Sequence, residues 1–287
     1  MHRRLETFRR VIERARARRG AALMGICNVT PDSFSDGGDF FSATAARARV
    51  VALVAEGADV VDIGGESTRP GAQPVPAREQ LDRMLAIVEY AAQIGACVSV
   101  DTTEAEVATA CLDAGACAIN DVSCLRDEAL ARAVARAEGA LILMHTRGTP
   151  HEMRGFGEPH DPIYTDIVRD VCAEWQSAAC RAERAGVLPE ALVMDPGLGF
   201  AKTAHQSEEL VVRLREVVES IGFPVAVGAS RKSFLTLVEP GVKPTERLGA
   251  SIAAAIHSVR CGASVLRVHD VRATRQAVDF SHRVGST

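Results

Sequence analysis

Short apolar runs alternate with longer amphipathic stretches along almost the whole chain. The runs fall at 21–29 (AALMGICNV), 59–64, 97–101, 117–122, 140–145, 192–195, 225–229 and 265–269. They are continuous rather than alternating, the pattern of strands buried on both faces. Between and after them, 43–56, 78–94, 104–114, 127–138, 164–185, 206–220, 245–260 and 271–283 carry apolar residues at helical spacing and are rich in Ala and Arg. Strands separated by helices pair in parallel through right-handed crossovers. Eight such units predict a closed (β/α)8 barrel, an α/β fold of the TIM-barrel type, as a single domain. A doubly wound sheet is the alternative, but it would carry fewer strands and a glycine fingerprint after the first. Gly57, Gly95, Gly115, Gly139, Gly186, Gly222 and Gly262 each precede a strand, where a helix ends on a left-handed residue.

The chain has 287 residues, and a barrel takes about 250. This leaves a short extension at 1–20 and places the barrel at 21–287. Aromatic residues make up only 4%, so Ala, Val, Leu and Ile must fill the core. The net charge of -4 offers no general attraction to nucleic acid. The first twenty residues depart from that balance, with eight Arg against Glu6 and Glu13. Without Ser, and with two acids, they do not read as a transit peptide. A nucleic-acid arm would want aromatic platforms, which are missing. A solvated helix capping the barrel, or a poorly ordered tail, is expected instead. No apolar run reaches the length of a membrane span. Eight Cys occur without a CxxC pair, with Cys27, Cys97, Cys117 and Cys261 in or beside apolar segments. They read as small buried hydrophobes in a reducing cytoplasm rather than as disulfides or zinc ligands.

The ends of the apolar runs are polar: Asn28, Asp62, Asp101, Asn120 with Asp121, His145, Asp195, Ser230, and Arg267 with His269. In a barrel, all eight C-terminal strand ends converge on one mouth, where active sites are built. Helix capping could account for one or two, such as Asp101 ahead of 102–104, but not for Arg and His. The longest loops, 30–42, 65–77 and 146–163, follow strands 1, 2 and 5 and suit lids and binding loops. Carboxylates, amides and cations at one mouth suit a substrate with a hydrogen-bonding heterocycle and an anionic tail. Asn28 offers an oxygen for Mg2+, which keeps waters and borrows substrate phosphate oxygens.

Two long stretches then carry a family resemblance. Residues 24–38 (MGICNVTPDSFSDGG) and 62–72 (DIGGESTRPGA) resemble the two signatures of dihydropteroate synthases. Val100-Asp101-Thr102, Ile119-Asn120-Asp121, Met144-His145, Asp195-Pro196-Gly197, Ser230-Arg231-Lys232-Ser233 and Arg267-Val268-His269-Asp270-Val271 match that family in order. The resemblance spans about 21–283 and implies a transferase of folate biosynthesis. Such an enzyme joins 6-hydroxymethyl-7,8-dihydropterin pyrophosphate to p-aminobenzoate and is a target of sulfonamides. It implies a pterin pyrophosphate site of Thr68, Asp101, Asn120, Met144, Asp195, Lys232, Arg267 and His269. A p-aminobenzoate site of Phe34, Thr68, Arg69, Pro70, Phe200 and Ser233 is implied beside it. The catalytic set so implied is Asp36, Arg69, Lys232, Arg267 and His269, with Asn28 as the Mg2+ ligand. The family's habit also implies a homodimer formed through outer helices.

Two other readings have distinguishing marks. A pterin-binding methyltransferase domain would share the barrel but would not need the Ser-Thr-Arg-Pro-Gly loop or the Arg-Val-His clamp. An inactive paralogue serving as a scaffold would be free to lose Asn28, Lys232 or Arg267, and all three are present. The run 197–203 (GLGFAKT) nearly matches a phosphate-binding loop, but Ala201 replaces the Gly before Lys and no nucleotide-binding context surrounds it. The family usually has Gly at 201. His145, His151 and His160 lack metal-ligand spacing. The segment 146–150 departs from the family after Met-His, so no catalytic role is expected of it.

Overall fold

The structure, a computed structural model, describes residues 3–30, 43–67, 73–148 and 164–285. Its strands are β1 (Ala22–Asn28), β2 (Val60–Gly64), β3 (Val98–Asp101), β4 (Ala118–Asp121), β5 (Ala140–Met144), β6 (Leu192–Asp195), β7 (Ala226–Val227) and β8 (Val265–Val268). All pairings are parallel, in the order β6-β5-β4-β3-β2-β1-β8-β7, and a parallel bridge from Met194 to Val225 joins the two ends. The eight expected strands are all present and form a (β/α)8 barrel.

The helices are α1 (Arg3–Arg19), α2 (Ala43–Glu56), α3 (Ala77–Gln93), α4 (Ala105–Asp113), α5 (Glu128–Arg136), α6 (Ile167–Arg184), α7 (Ala204–Val212), α8 (Leu214–Ile221), α9 (Leu248–Arg260) and α10 (Val271–Gly285). The stretch expected as one helix at 206–220 is two, divided at Arg213, which bonds Glu209, Glu216 and Asp166. The first of them starts at Ala204 because Thr203 and Gln206 form a capping box. Asp101 is no cap: the residue before α4 is Glu104, and its side chain caps nothing. At the end of α5 the left-handed turn falls on Glu138 (φ 54°) and not on Gly139.

The core is aliphatic, as the scarcity of aromatics requires. Trp175 of α6 is its largest buried side chain, and its indole N–H donates to the Leu143 carbonyl at 2.7 Å. The Arg-rich extension is an ordered helix. Leu5, Phe8, Ile12 and Ala15 of α1 join the core cluster at the N-terminal end of the barrel. Arg4 donates to the carbonyls of Leu112 and Ala137, which close α4 and α5 ahead of the next strands. Arg9, Arg10, Arg14, Arg16 and Arg18 face outward. No helix among the described residues is long and apolar enough to cross a membrane, and all eight Cys are unbonded to one another.

Candidate active site at the barrel mouth

Parallel register and side-chain alternation bring Asp62 of β2, Asp101 of β3, Asn120 of β4 and Arg267 of β8 together inside the mouth. Arg267 lies between two buried carboxylates. Its Nε–H donates to Asp62 Oδ2 at 2.7 Å and an Nη2–H to Asp101 Oδ2 at 2.6 Å. Asn120 Nδ2 donates to the same Asp62 oxygen at 3.3 Å. The other oxygen of each carboxylate, Asp62 Oδ1 and Asp101 Oδ1, is buried without a hydrogen-bond partner. Such an atom costs roughly 1–3 kcal/mol, more when charged, so it persists where something else supplies the donor. Burial pushes the Asp101 carboxyl up to about 7, against the pull of Arg267. The same carboxylates hold the Arg267 guanidinium well above its usual value, even though burial acts the other way.

Across the mouth, Asp195 ends β6 in register with Met144 of β5, both buried. Asp195 Oδ1 accepts the Gly197 N–H at 2.7 Å. Burial raises its pKa, with Lys232 and that N–H opposing. Lys232 follows β7, donates to the Leu198 carbonyl at 2.5 Å and stands 4.6 Å over the Phe200 ring. Burial lowers its pKa to about 8, with Asp195 acting the other way. His269, just beyond β8, pairs its Nδ1 with Ser230 Oγ at 3.1 Å, while its carbonyl accepts from Arg49 at 2.9 Å. Ser233 starts the short 3-10 turn that follows Lys232, and Asn28 closes β1 half-buried.

Of the expected site residues, Asn28, Asp101, Asn120, Met144, Asp195, Phe200, Lys232, Ser233, Arg267 and His269 therefore line the mouth or its rim. Phe34, Asp36, Thr68, Arg69 and Pro70 lie outside the described residues. Asp62, a polar strand end outside the expected site, joins it; the signal for it is an ionisable residue inside the run VVDIG. Arg267, expected to clamp pyrophosphate with His269, is also held by two carboxylates. A guanidinium has five N–H donors, and these bonds use two, so its remaining donors can still face an anion. His145 proves fully buried and belongs to a separate polar cluster with Lys202, Glu174 and Arg147. Among the described residues, no group of three or more His, Cys, Asp or Glu could hold a metal ion.

A profile of pterin binding enzymes matches residues 24–269. A dihydropteroate synthase from Synechocystis is 42% identical over 256 residues, which cover 88% of this chain and 86% of that protein. The chain belongs to the dihydropteroate synthase family. Solved structures of family members superpose closely. The Xanthomonas albilineans dihydropteroate synthase with 4-aminobenzoic acid has a TM-score of 0.84 and 40% identity, covering 93% of this chain and 94% of that one. The same organism's enzyme in complex with 7,8-dihydropteroate has a TM-score of 0.82 and 36% identity, with the same coverage. The family's barrel is thus the one described above, and the stretches that resemble its two signatures, 24–38 and 62–72, begin within β1 and β2.

Proposed function

We propose that the chain condenses 6-hydroxymethyl-7,8-dihydropterin pyrophosphate with p-aminobenzoate, giving 7,8-dihydropteroate and pyrophosphate. The observation that carries this reading is the pair of buried, unpartnered carboxylate oxygens on Asp62 and Asp101, beside Asn120 and opposite Asp195 and Lys232. A flat heterocycle with an N–H-rich edge and a ring carbonyl satisfies them all. The 7,8-dihydropteroate and 4-aminobenzoic acid in the relatives' structures are chemically what such a mouth would release and accept.

In this reading Asp101, Asn120 and Asp195 hold the pterin edge, Lys232 donates to its carbonyl, and Met144 packs on its face. Arg267 and His269 receive the pyrophosphate, joined by Thr68. The C–O bond to pyrophosphate breaks with its electron pair on oxygen, the amine nitrogen of p-aminobenzoate bonds to the methylene carbon, and that nitrogen loses a proton. An arylamine is a weak nucleophile, so stabilising the departing charge contributes more than a base would. Asp101 and Asp195 favour positive charge on the pterin methylene, which gives the substitution SN1 character. Phe34, Arg69, Pro70, Phe200 and Ser233 shape the p-aminobenzoate site, and Asp36 and Arg69 complete the catalytic set from the two long loops.

Asn28 would hold Mg2+. A lone half-buried amide oxygen suits an ion that keeps its waters and borrows phosphate oxygens, and the ion would neutralise charge on the pyrophosphate when bound. Sulfonamides, as mimics of p-aminobenzoate, would compete at Phe200 and Ser233. A homodimer through the outer helices is supported by Val212, Leu237, Val238 and Leu248, exposed apolar side chains on α7, at and just after the end of the 233–237 turn, and on α9. The unbonded Cys residues are in keeping with a reducing cytoplasm. The test of the reaction is pyrophosphate release from purified protein, expected only when both substrates and Mg2+ are present. Release with pterin pyrophosphate alone, at the same rate, would overturn the condensation.

A further inference from the structure

Lys202 is the charged residue of the GLGFAKT run, and the reaction above does not use it. It is 4% exposed. Its Nζ lies 3.0 Å from His145 Nδ1, 3.1 Å from the Gly197 carbonyl, 3.0 Å from the Phe200 carbonyl and 3.4 Å from the His145 carbonyl. All four partners accept and none donates, the environment of an ammonium with three N–H groups. His145 fits that arrangement as a neutral ring. Burial and Lys202 lower its pKa to about 4, and with Nδ1 accepting, its Nε2–H donates to Glu174 at 3.0 Å. Arg147 holds the other side of Glu174 and stacks 3.9 Å over Tyr164, whose hydroxyl donates to the Ala201 carbonyl at 3.0 Å. Burial pulls the Lys202 pKa down to about 7, with Lys232 pushing the same way and Asp195 against it.

The residues that Lys202 gathers are those that build one wall of the mouth. Gly197 hands its N–H to Asp195, Leu198 hands its carbonyl to Lys232, and Phe200 lies beneath the Lys232 ammonium. The backbone there has no slack. A Cβ on Gly197 would sit 1.9 Å from the His145 carbonyl oxygen, so the chain after β6 crosses directly over the chain after β5. Gly197 (φ 68°), Gly199 (φ 77°) and Ala201 (φ 45°) all take left-handed conformations, which a free loop would not hold together. The ammonium also neutralises carbonyl dipoles that would otherwise converge on one buried point. Such a lysine is unavailable to a phosphate, which is why the likeness to a phosphate-binding loop carries no nucleotide site.

We propose that Lys202 is a positioning residue for the pterin pocket, acting from below the 197–203 loop to set Asp195, Lys232 and Phe200. The inference rests on the reading of the mouth as a pterin site. Lys202→Met keeps the length of the side chain and removes its donors. The loop wall then loosens while the Arg267 side of the mouth, anchored by Asp62 and Asp101, stays as it is. Calorimetry with two probes separates these effects: 6-hydroxymethyl-7,8-dihydropterin pyrophosphate without p-aminobenzoate, and inorganic pyrophosphate with Mg2+. The expected result is an approximately tenfold weaker pterin ligand, the size of one lost charge-assisted contact, with pyrophosphate affinity unchanged. Lys202→Gln, which retains an N–H donor, recovers part of the loss. Should the methionine variant not fold, Lys202→Gln carries the test at about threefold. Equal weakening of both probes would mean a general structural role, and unchanged pterin affinity in a folded variant would mean none; either overturns the proposal. A wild-type chain that binds neither probe would overturn the pterin reading itself.

Discussion

Two aspartates three residues apart, Asp59 and Asp62, serve opposite ends of the barrel at β2. Asp59, at the floor, accepts from Arg19 Nη1 and from the Leu23 N–H through the same oxygen, both at 2.8 Å. Asp62, at the mouth, accepts from Arg267 and Asn120 through one oxygen and leaves the other buried and unpartnered. Both carboxylates face an arginine brought from elsewhere in the chain. The floor pair ties α1 to the barrel and closes it. The mouth pair leaves acceptor capacity unspent on both Asp62 and Asp101. Burial raises carboxyl pKa values at both ends, at Asp59 as at Asp101 and Asp195, so the unspent oxygens and not the titration set the two ends apart. Arg19 Nε at the floor makes no hydrogen bond but stands 3.1 Å from Asp279 Oδ1, whereas the unpartnered carboxylate oxygens at the mouth mark the end where a ligand completes the structure.

If the two ends divide labour in this way, substitutions at each should move different quantities. The largest effect is expected at Asp195. Asp195→Asn removes one side of a buried charge-assisted contact and should weaken pterin binding by about 2–5 kcal/mol. Because its burial already disfavours the charge, thermal stability should hold or rise. Calorimetry with pterin pyrophosphate, beside a melting curve, checks both; unchanged affinity in the folded variant would take Asp195 out of the site.

Asp59→Ala should do the reverse. Arg19 is buried and would lose a charge-assisted partner, at a cost of about 1.5–3 kcal/mol of stability by chemical denaturation. The activity of the folded fraction should be untouched. A drop in kcat/KM without loss of stability would show that the floor communicates with the mouth, and the division would fail.

The same contrast explains what could be read before the fold was known. Strands buried on both faces leave a simple signal, so all eight were legible, and so was the convergence of Asp101, Asn120, Asp195, Lys232 and Arg267. Asp101, Asn120, Asp195 and Arg267 stand at or near strand ends, where chain order alone predicts position, and Lys232 came with the Ser-Arg-Lys-Ser match beyond β7. What escaped depends on who meets whom across the barrel. Asp62 and Arg267 are 205 residues apart in sequence, and nothing local announces that the expected clamp is tied to a carboxylate. Lys202 escaped for a related reason: its local run suggests phosphate, while its partner His145, and the Glu174 that His145 bonds, come from the preceding strand-to-helix unit. The Arg-rich extension was ambiguous because charge dominates its composition. Its apolar residues at 5, 8, 12 and 15 decide in favour of a packed helix once a floor exists to receive them.

The smallest effect concerns Ala201, and it sharpens the contrast from the mouth's side. An L-residue at φ 45° pays a steric penalty of roughly 1–2 kcal/mol that glycine avoids. Glycine gives back about 0.4–1 kcal/mol through its freer unfolded chain. Ala201→Gly should therefore raise stability by only about 0.5–1 kcal/mol, read from the midpoint of chemical denaturation at constant slope. The origin of the strain is checked by coupling. If the bonds from Lys202 to the Phe200 carbonyl and from Tyr164 to the Ala201 carbonyl hold the left-handed turn, the strain exists only while they do. In a Lys202→Met background the loop can relax, and the gain from Ala201→Gly should vanish, since neighbouring residues that share a backbone constraint are not additive. The same gain in both backgrounds would place the strain in the turn itself and release Lys202 from that role.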